Sequence, residues 1–335
     1  MVNVAIVGLG FMGRTHFECY AANQSCRVAA VVEPETARRQ STAVGGNLAV
    51  GQTPLDMTGV TFHDHWKSML ADKSIDLVDV CTPTQTHAEI ALAALRAGKH
   101  VFVEKPMSRD LADAEQMVAE SRKTGKILHV GHVLRYWGQY VEAKKIADSG
   151  AHGPLRYARF IRHGGKPSWA AGNWLADPSK SGGAVLDLHI HDVDSALWIF
   201  GQPQTVHVVG RSDDNLPMSI DATWTYPTGS QIQLHGRWDR QPKAPFRFAF
   251  SLEFDKASLY CDLAAGAKLQ LIEGDTTSDL PFESISGYQI QINDVIDSVA
   301  AKRRETQVTP ESALETMRMT LRHLEDAQSF AARHR

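Results

Sequence analysis

A chain of 335 residues that is 43% hydrophobic and 22% charged has ample material for buried cores and is long enough for two domains. Its formal net charge of −3, with no basic stretch, argues against nucleic acid or an anionic membrane as a partner. The four cysteines (Cys19, Cys26, Cys81, Cys261) show no metal or redox spacing, no apolar run reaches membrane-spanning length, and the first residues read as a strand, so a cytoplasmic, soluble protein is expected.

The β-branched run Val2–Val7 ends in Gly8, as a buried parallel strand would, and a helix is predicted over 12–22. "CRVAAVVE" (26–33) and "SIDLVDVCTP" (74–83) read as further strands, followed by an Ala/Leu helix, "THAEIALAALRAG" (86–98). "KHVFVEKP" (99–106) predicts a strand, 112–125 a helix and "KILHVGH" (126–132) another strand. This alternation predicts a doubly wound parallel sheet, a Rossmann domain over 1–125.

Within it, Gly8, Gly10 and Gly13 form G-x-G-x-x-G between the first strand and the first helix. Gly8 permits the tight turn, Gly10 lets backbone approach a pyrophosphate, and Gly13 lets helix and strand pack, with Phe11 and Met12 in the same cradle. Glu33, at the end of the second strand, is placed to bind the adenosine ribose hydroxyls. Its charge favours NAD, while Arg38 and Arg39 keep NADP open as the alternative. Thr82 and Pro83 end a strand at the carboxyl edge of the sheet, where ligands bind, and His87 starts the next helix.

From about residue 155 the pattern becomes antiparallel, giving an α+β domain over 126–335. Strands are predicted at 155–162, 204–211, 219–226, 230–238, 246–254 and 257–263, and a last helix over 310–332. In 246–254, Phe246, Phe248, Phe250, Leu252 and Phe254 share one face. A large open sheet of this kind has one face for its helices and one for another subunit, so a homodimer or homotetramer through this sheet is expected.

"SGGAVLDLHIHDVD" (181–194) concentrates aspartate and histidine. As a strand it would gather Asp187, His189 and His191; as a helix it aligns Leu186, Ile190, Val193 and Leu197 in one apolar stripe. The run to Gly201 is too long for a strand, so a helix is predicted, with Asp187, His191 and Asp194 on one face and His189 and Asp192 pointing elsewhere. That splits any three-ligand set, and no metal is expected.

"VGLGFMGRTH" (7–16), "TPTQTHAEIALAALRAGKHVFVEKP" (82–106), "DSGAHGPLRY" (148–157) and "SGGAVLDLHIHDVDSALWIFG" (181–201) together resemble the glucose–fructose oxidoreductase / inositol dehydrogenase / rhizopine catabolism (Gfo/Idh/MocA) family of NAD(P)-dependent sugar oxidoreductases. The resemblance spans nearly the whole chain, and it implies that Lys105 of E-K-P and the D-x-x-x-H pair Asp187 and His191 line the pocket beside the nicotinamide. It also implies a cis Lys105–Pro106 bond, with Glu104 holding Lys105 or meeting the nicotinamide ribose. Two positions depart from the family pattern: Thr84 stands where asparagine is frequent, and His189 where glycine is frequent.

On this reading His191 accepts the hydroxyl proton, Asp187 fixes the hydroxyl, and Lys105 favours the developing alkoxide. Arg135, Trp169, Asn173 and Trp174 are candidates for a sugar pocket, as are Arg162 and His163, with plain packing the competing role. The expected activity is hydride transfer between nicotinamide and a secondary alcohol or ketone of a sugar, cyclic polyol or sugar derivative. The alternatives are an NAD-assisted glycosidase working by transient C3 oxidation and elimination, with His189 as an extra base, and a non-catalytic NAD-binding regulator.

Overall fold

The β-branched segments of the N-terminal third form β1 (Val2–Val7), β2 (Cys26–Val32), β3 (Thr61–His63), β4 (Leu77–Val80), β5 (His100–Val103) and β6 (Leu128–Val130). All pair in parallel, in the order β3-β2-β1-β4-β5-β6. Val4, Ile6, Leu77, Val80, Val101 and Val103 are fully enclosed, which explains why these strands read as continuous apolar runs. The helices between them are α1 (Phe11–Ala21), α2 (Thr36–Gln40), α3 (Trp66–Leu70), α4 (His87–Arg96) and α5 (Leu111–Thr124). Strand order reverses between β1 and β4, so the carboxyl ends of these two strands flank the crevice in which doubly wound sheets take ligands.

The computed structural model describes residues 1–40, 54–168, 171–241 and 244–334. They divide into two compact units: Met1–Val133 with Trp169–Trp174 and Ser286–Met317, and Leu134–Ser168 with Leu175–Ile285 and Arg318–Arg335.

The second unit opens with α6 (Gly138–Ser149) and is built on β7 (Leu155–Gly165), β8 (Thr205–Asp213), β9 (Leu216–Thr225), β10 (Gln231–Arg240), β11 (Arg247–Phe254), β12 (Ser258–Asp262), β13 (Leu269–Glu273) and β14 (Thr276–Leu280). Their order is β14-β13-β12-β11-β7-β10-β9-β8. Every pair is antiparallel except β7 with β10. The alternation predicted in β11 is present in most of the strand: Phe248, Phe250, Leu252 and Phe254 are buried while Ser251 and Glu253 are not, but Ala249 is buried as well and Phe246 precedes the strand, half-buried.

After α7 (Pro178–Ser181), a π-helical turn over Val185–His189 and α8 (Ile190–Phe200) pack against β7 and β10. Two further helices are α9 (Gly287–Ala300), which packs on α1 in the first unit, and α10 (Pro310–Arg333). The C-terminal part of α10 lies so close to β8 that a Cβ on Gly210 would stand 2.7 Å from that of Ala327. Among the described residues no helix is long and apolar enough to cross a membrane.

Candidate active site

The glycine turn works through two close approaches and one opening. Gly8 has φ +94°, and a Cβ there would lie 2.8 Å from the Cys81 carbonyl oxygen; a Cβ on Gly13 would lie 1.9 Å from the Gly8 carbonyl oxygen. At Gly10 nothing lies within 4 Å, so the backbone there is open to a ligand. No side chain caps α1 at Gly10, which leaves the first-turn N–H groups of Phe11, Met12 and Gly13 for anionic oxygens. The Glu33 carboxylate accepts from the Leu9 N–H at 3.0 Å and the Glu35 N–H at 3.0 Å, and Arg38 stands 3.8 Å from it and 2.9 Å from Glu35. An anionic, ordered acceptor beside an uncapped glycine turn suits a dinucleotide with free ribose hydroxyls.

At the carboxyl ends of β4 and β5 the chain carries Thr82, Pro83, Glu104 and Lys105. Lys105 is half-buried, and its peptide bond to Pro106 is cis. On one side, the Glu104 carboxylate accepts the Lys105 backbone N–H at 3.0 Å. On the other, His87 is buried between two carbonyls, with Nδ1 2.8 Å from Pro106 O and Nε2 2.8 Å from Thr82 O. Burial pushes the His87 pKa down, and a neutral ring has one N–H, so it donates to one of these carbonyls at a time. His87 therefore joins the two loops of this edge.

Beneath them lies a group that motif reading missed: His16 of α1, Asp79 of β4 and Cys81. His16 Nδ1 is 2.8 Å from Asp79 Oδ2 and 3.4 Å from Cys81 Sγ, and its Nε2 is 3.3 Å from Glu104 Oε1, an ion-pair distance without hydrogen-bond alignment. The available signal was Asp79 itself, a carboxylate inside the apolar strand "LVDV".

In the second unit the predicted helix is broken near its start, where Gly182 and Gly183 take the left-handed conformation at φ 74° and 65°; it then runs as a π turn over Val185–His189 and continues as α8 to Phe200. Such turns add a residue to the ladder and are frequent at functional sites. Asp187 and His191 remain partly exposed one turn apart, while His189, Asp192 and Asp194 are buried. Asp194, expected on the face of Asp187 and His191, is instead enclosed by Arg135, whose Nη2 and Nε donate to its two oxygens at 2.6 and 3.0 Å. Arg135, only 4% exposed, is thus engaged in a buried ion pair. Arg162 is likewise held by Asp192 at 3.0 Å and Tyr140 at 3.2 Å.

His189 is corrected from an extra base to a packing element. Its Nε2 lies 2.8 Å from His323 Nδ1, and Trp224 Nε1 donates to His323 Nε2 at 2.9 Å. The tryptophan can only donate, so His323 carries its proton on Nδ1 and donates to His189, which is then protonated on Nδ1. Burial, then the neighbouring His323, pushes His189 well below its usual range, and His323 is lowered to about 3 by burial and then Arg322. Such a ring cannot reach a substrate.

Trp169 lies outside the described residues. Asn173 is exposed in the left-handed region at φ 52°, and Trp174 is half-buried. His163 is lowered to about 4 by burial and then by Arg237. A cavity of about 810 Å³, lined by Lys73, Lys126, Lys302 and Arg304 among others, opens at the amino edge of the parallel sheet, away from the glycine turn.

Comparison with known proteins gives two family matches: the oxidoreductase family with NAD-binding Rossmann fold (GFO_IDH_MocA) over residues 2–132, and the GFO/IDH/MocA C-terminal domain over 140–260. The 2,7-anhydro-N-acetylneuraminate hydratase of Escherichia coli is 24% identical over 296 residues, 85% of this chain and 74% of that protein. The scyllo-inositol 2-dehydrogenase (NAD(+)) of Bacillus subtilis is 31% identical over 203 residues, 60% of this chain and 54% of its own. Several other matches to curated relatives span only about half of the relative's length. A levoglucosan dehydrogenase solved with NADH has the same fold, with a TM-score of 0.81 at 20% identity over 98% of each chain.

Proposed function

Because the chain belongs to the Gfo/Idh/MocA family of oxidoreductases, we propose that it is an NAD(P)-dependent dehydrogenase or reductase acting on a secondary alcohol or ketone of a sugar, cyclic polyol or sugar derivative. The observation that carries this reading is Lys105, fixed between Glu104 and the His87-held Pro106 carbonyl at the carboxyl edge where the uncapped glycine turn opens. Bound NAD supplies the hydride acceptor. The protein's own residues do the rest: orient the carbon and handle the hydroxyl proton.

In this reading His191 takes the proton: it is the imidazole of the D-x-x-x-H pair and remains partly exposed. Asp187, one turn before it, accepts from the hydroxyl and holds it toward the ring. Lys105 donates to the same oxygen and favours its negative charge. The Glu33 carboxylate would bind ribose hydroxyls and repel a 2′-phosphate, which favours NAD, and Arg38 already shares its charge with Glu33 and Glu35.

A panel of myo-inositol, scyllo-inositol, levoglucosan and methyl β-glucoside, offered with NAD and NADP separately, tests the proposal through formation of reduced nicotinamide. Oxidation of at least one, faster with NAD, is expected; no reduction with any member contradicts it. The hydratase relative, which matches 85% of the chain, favours a second reading in which oxidation at C3 is transient and elimination follows. Glycoside cleavage without accumulation of reduced nicotinamide would distinguish it.

A further inference from the structure

The buried group under the Lys105 turn has no part in the roles above. His16 lies on the helix that opens at the glycine turn, and its ring spans Asp79 at 2.8 Å and Glu104 at 3.3 Å. The other oxygen of Glu104 accepts the Lys105 N–H at 3.0 Å. Gly131 closes the remaining side, where a Cβ would stand 2.8 Å from Glu104 Oε1. His16 and Asp79 are fully enclosed and Glu104 is 6% exposed.

Groups so deeply buried stay ionised only when they compensate one another. Burial alone would push His16 down, but Asp79 reverses this and holds it well above its usual range. Burial opposes ionisation of Glu104 too, yet His16 and then Lys105 keep it below the ordinary carboxylate range. Burial drives the Cys81 thiol far up, so it is neutral. The distances suit proton sharing better than a metal: two ligands about 2.1 Å from a tetrahedral ion stand about 3.4 Å apart, whereas His16 Nδ1 and Asp79 Oδ2 are 2.8 Å apart.

The geometry points to His16 as a positioning residue: by spanning Asp79 and Glu104 it holds the Glu104 carboxylate against the Lys105 backbone N–H. The placement of Lys105 is thereby tied to the helix that begins at the glycine turn. This inference rests on the proposed role of Lys105.

The test compares His16→Gln, Asp79→Asn and Lys105→Ala with the wild-type full chain. Whichever of myo-inositol, levoglucosan and methyl β-glucoside the wild type oxidises fastest is the substrate. For His16→Gln, kcat should fall at least about tenfold, with KM and NADH affinity within about threefold and the kcat–pH profile displaced; Asp79→Asn should fall between the two. A substrate-independent arm follows amide exchange in the segment 103–110, which should quicken about tenfold in His16→Gln. Unchanged exchange and unchanged kcat in a variant where Lys105→Ala is inactive overturn the positioning role. Loss of NADH binding in step with kcat, or a stoichiometric metal in the purified protein, also overturns it. If Lys105→Ala keeps full activity, the functional reading fails instead, and the exchange arm still decides what His16 does.

Discussion

His16 and His189 are both fully enclosed, one in each unit, and their surroundings set opposite charges. His16 sits between two carboxylates and is held protonated; His189 meets another imidazole and is held neutral. Burial pushes both rings toward neutrality, so the partner decides which wins. The first arrangement lies under a half-buried lysine. The second carries a turn on which Asp187 and His191 are presented.

The glycines beside these two regions should break them unequally, with the largest effect first. Gly13→Ala drives a Cβ to 1.9 Å from a backbone oxygen, which cannot yield without moving the turn. NADH binding, followed by fluorescence titration, should be lost. Gly236→Ala meets only the His189 and Ile220 side chains, at 3.0 and 3.2 Å. Its expected cost is about 1–3 kcal/mol by urea unfolding, with NADH affinity unchanged.

Replacing the histidines themselves sharpens the contrast. His16→Leu leaves two buried carboxylates uncompensated and should cost about 3–5 kcal/mol in chemical denaturation. His189→Leu leaves one neutral donor unpaired and should cost about 1–3 kcal/mol. Equal losses would mean that the charges assigned to the two rings are wrong.

The smallest effect is in pH dependence, where the two clusters should fail at opposite ends. His16 has a raised folded pKa, so its contribution is complete below the ordinary value of 6.5 and is lost as pH rises through the folded value. His323 is depressed from 6.5 to about 3, so the unfolded chain binds the proton first. Its contribution is present above 6.5 and is lost as pH falls toward about 3. Urea midpoints should therefore fall less between pH 6.5 and pH 4 in His323→Gln than in the wild type; identical slopes would show that the pair does not titrate as described.

Much of this was readable beforehand, because it depends on local rules. The glycine spacing, Glu33 at a strand end and the strand–helix alternation are set by backbone sterics and burial, and they place the first sheet correctly. The Phe/Leu alternation of β11 is a local pattern too. Elements without such a pattern escaped: β3 is three residues, β14 has four exposed residues of five, and neither α6 nor α9 has a side-chain cap at its start, although Gly150 closes α6. At the candidate site, helical spacing put Asp187 and His191 on one face, while the role proposed for them came from the family resemblance. The fate of Asp194 did not follow from spacing, because Arg135, 59 residues away in sequence, covers it. His189 read as available for the same reason: its partners, His323 and Trp224, come from α10 and β9.

The proposed function requires that Lys105, Asp187 and His191 act on one bound alcohol. A double-mutant cycle of Lys105→Ala and His191→Ala, read as kcat/KM with the preferred substrate and NAD, tests it most directly. Each single change should lower kcat/KM about a hundred- to ten-thousand-fold, and the double variant should fall little further than the worse single one. Near wild-type turnover in either single variant, or losses that simply multiply, would contradict the account.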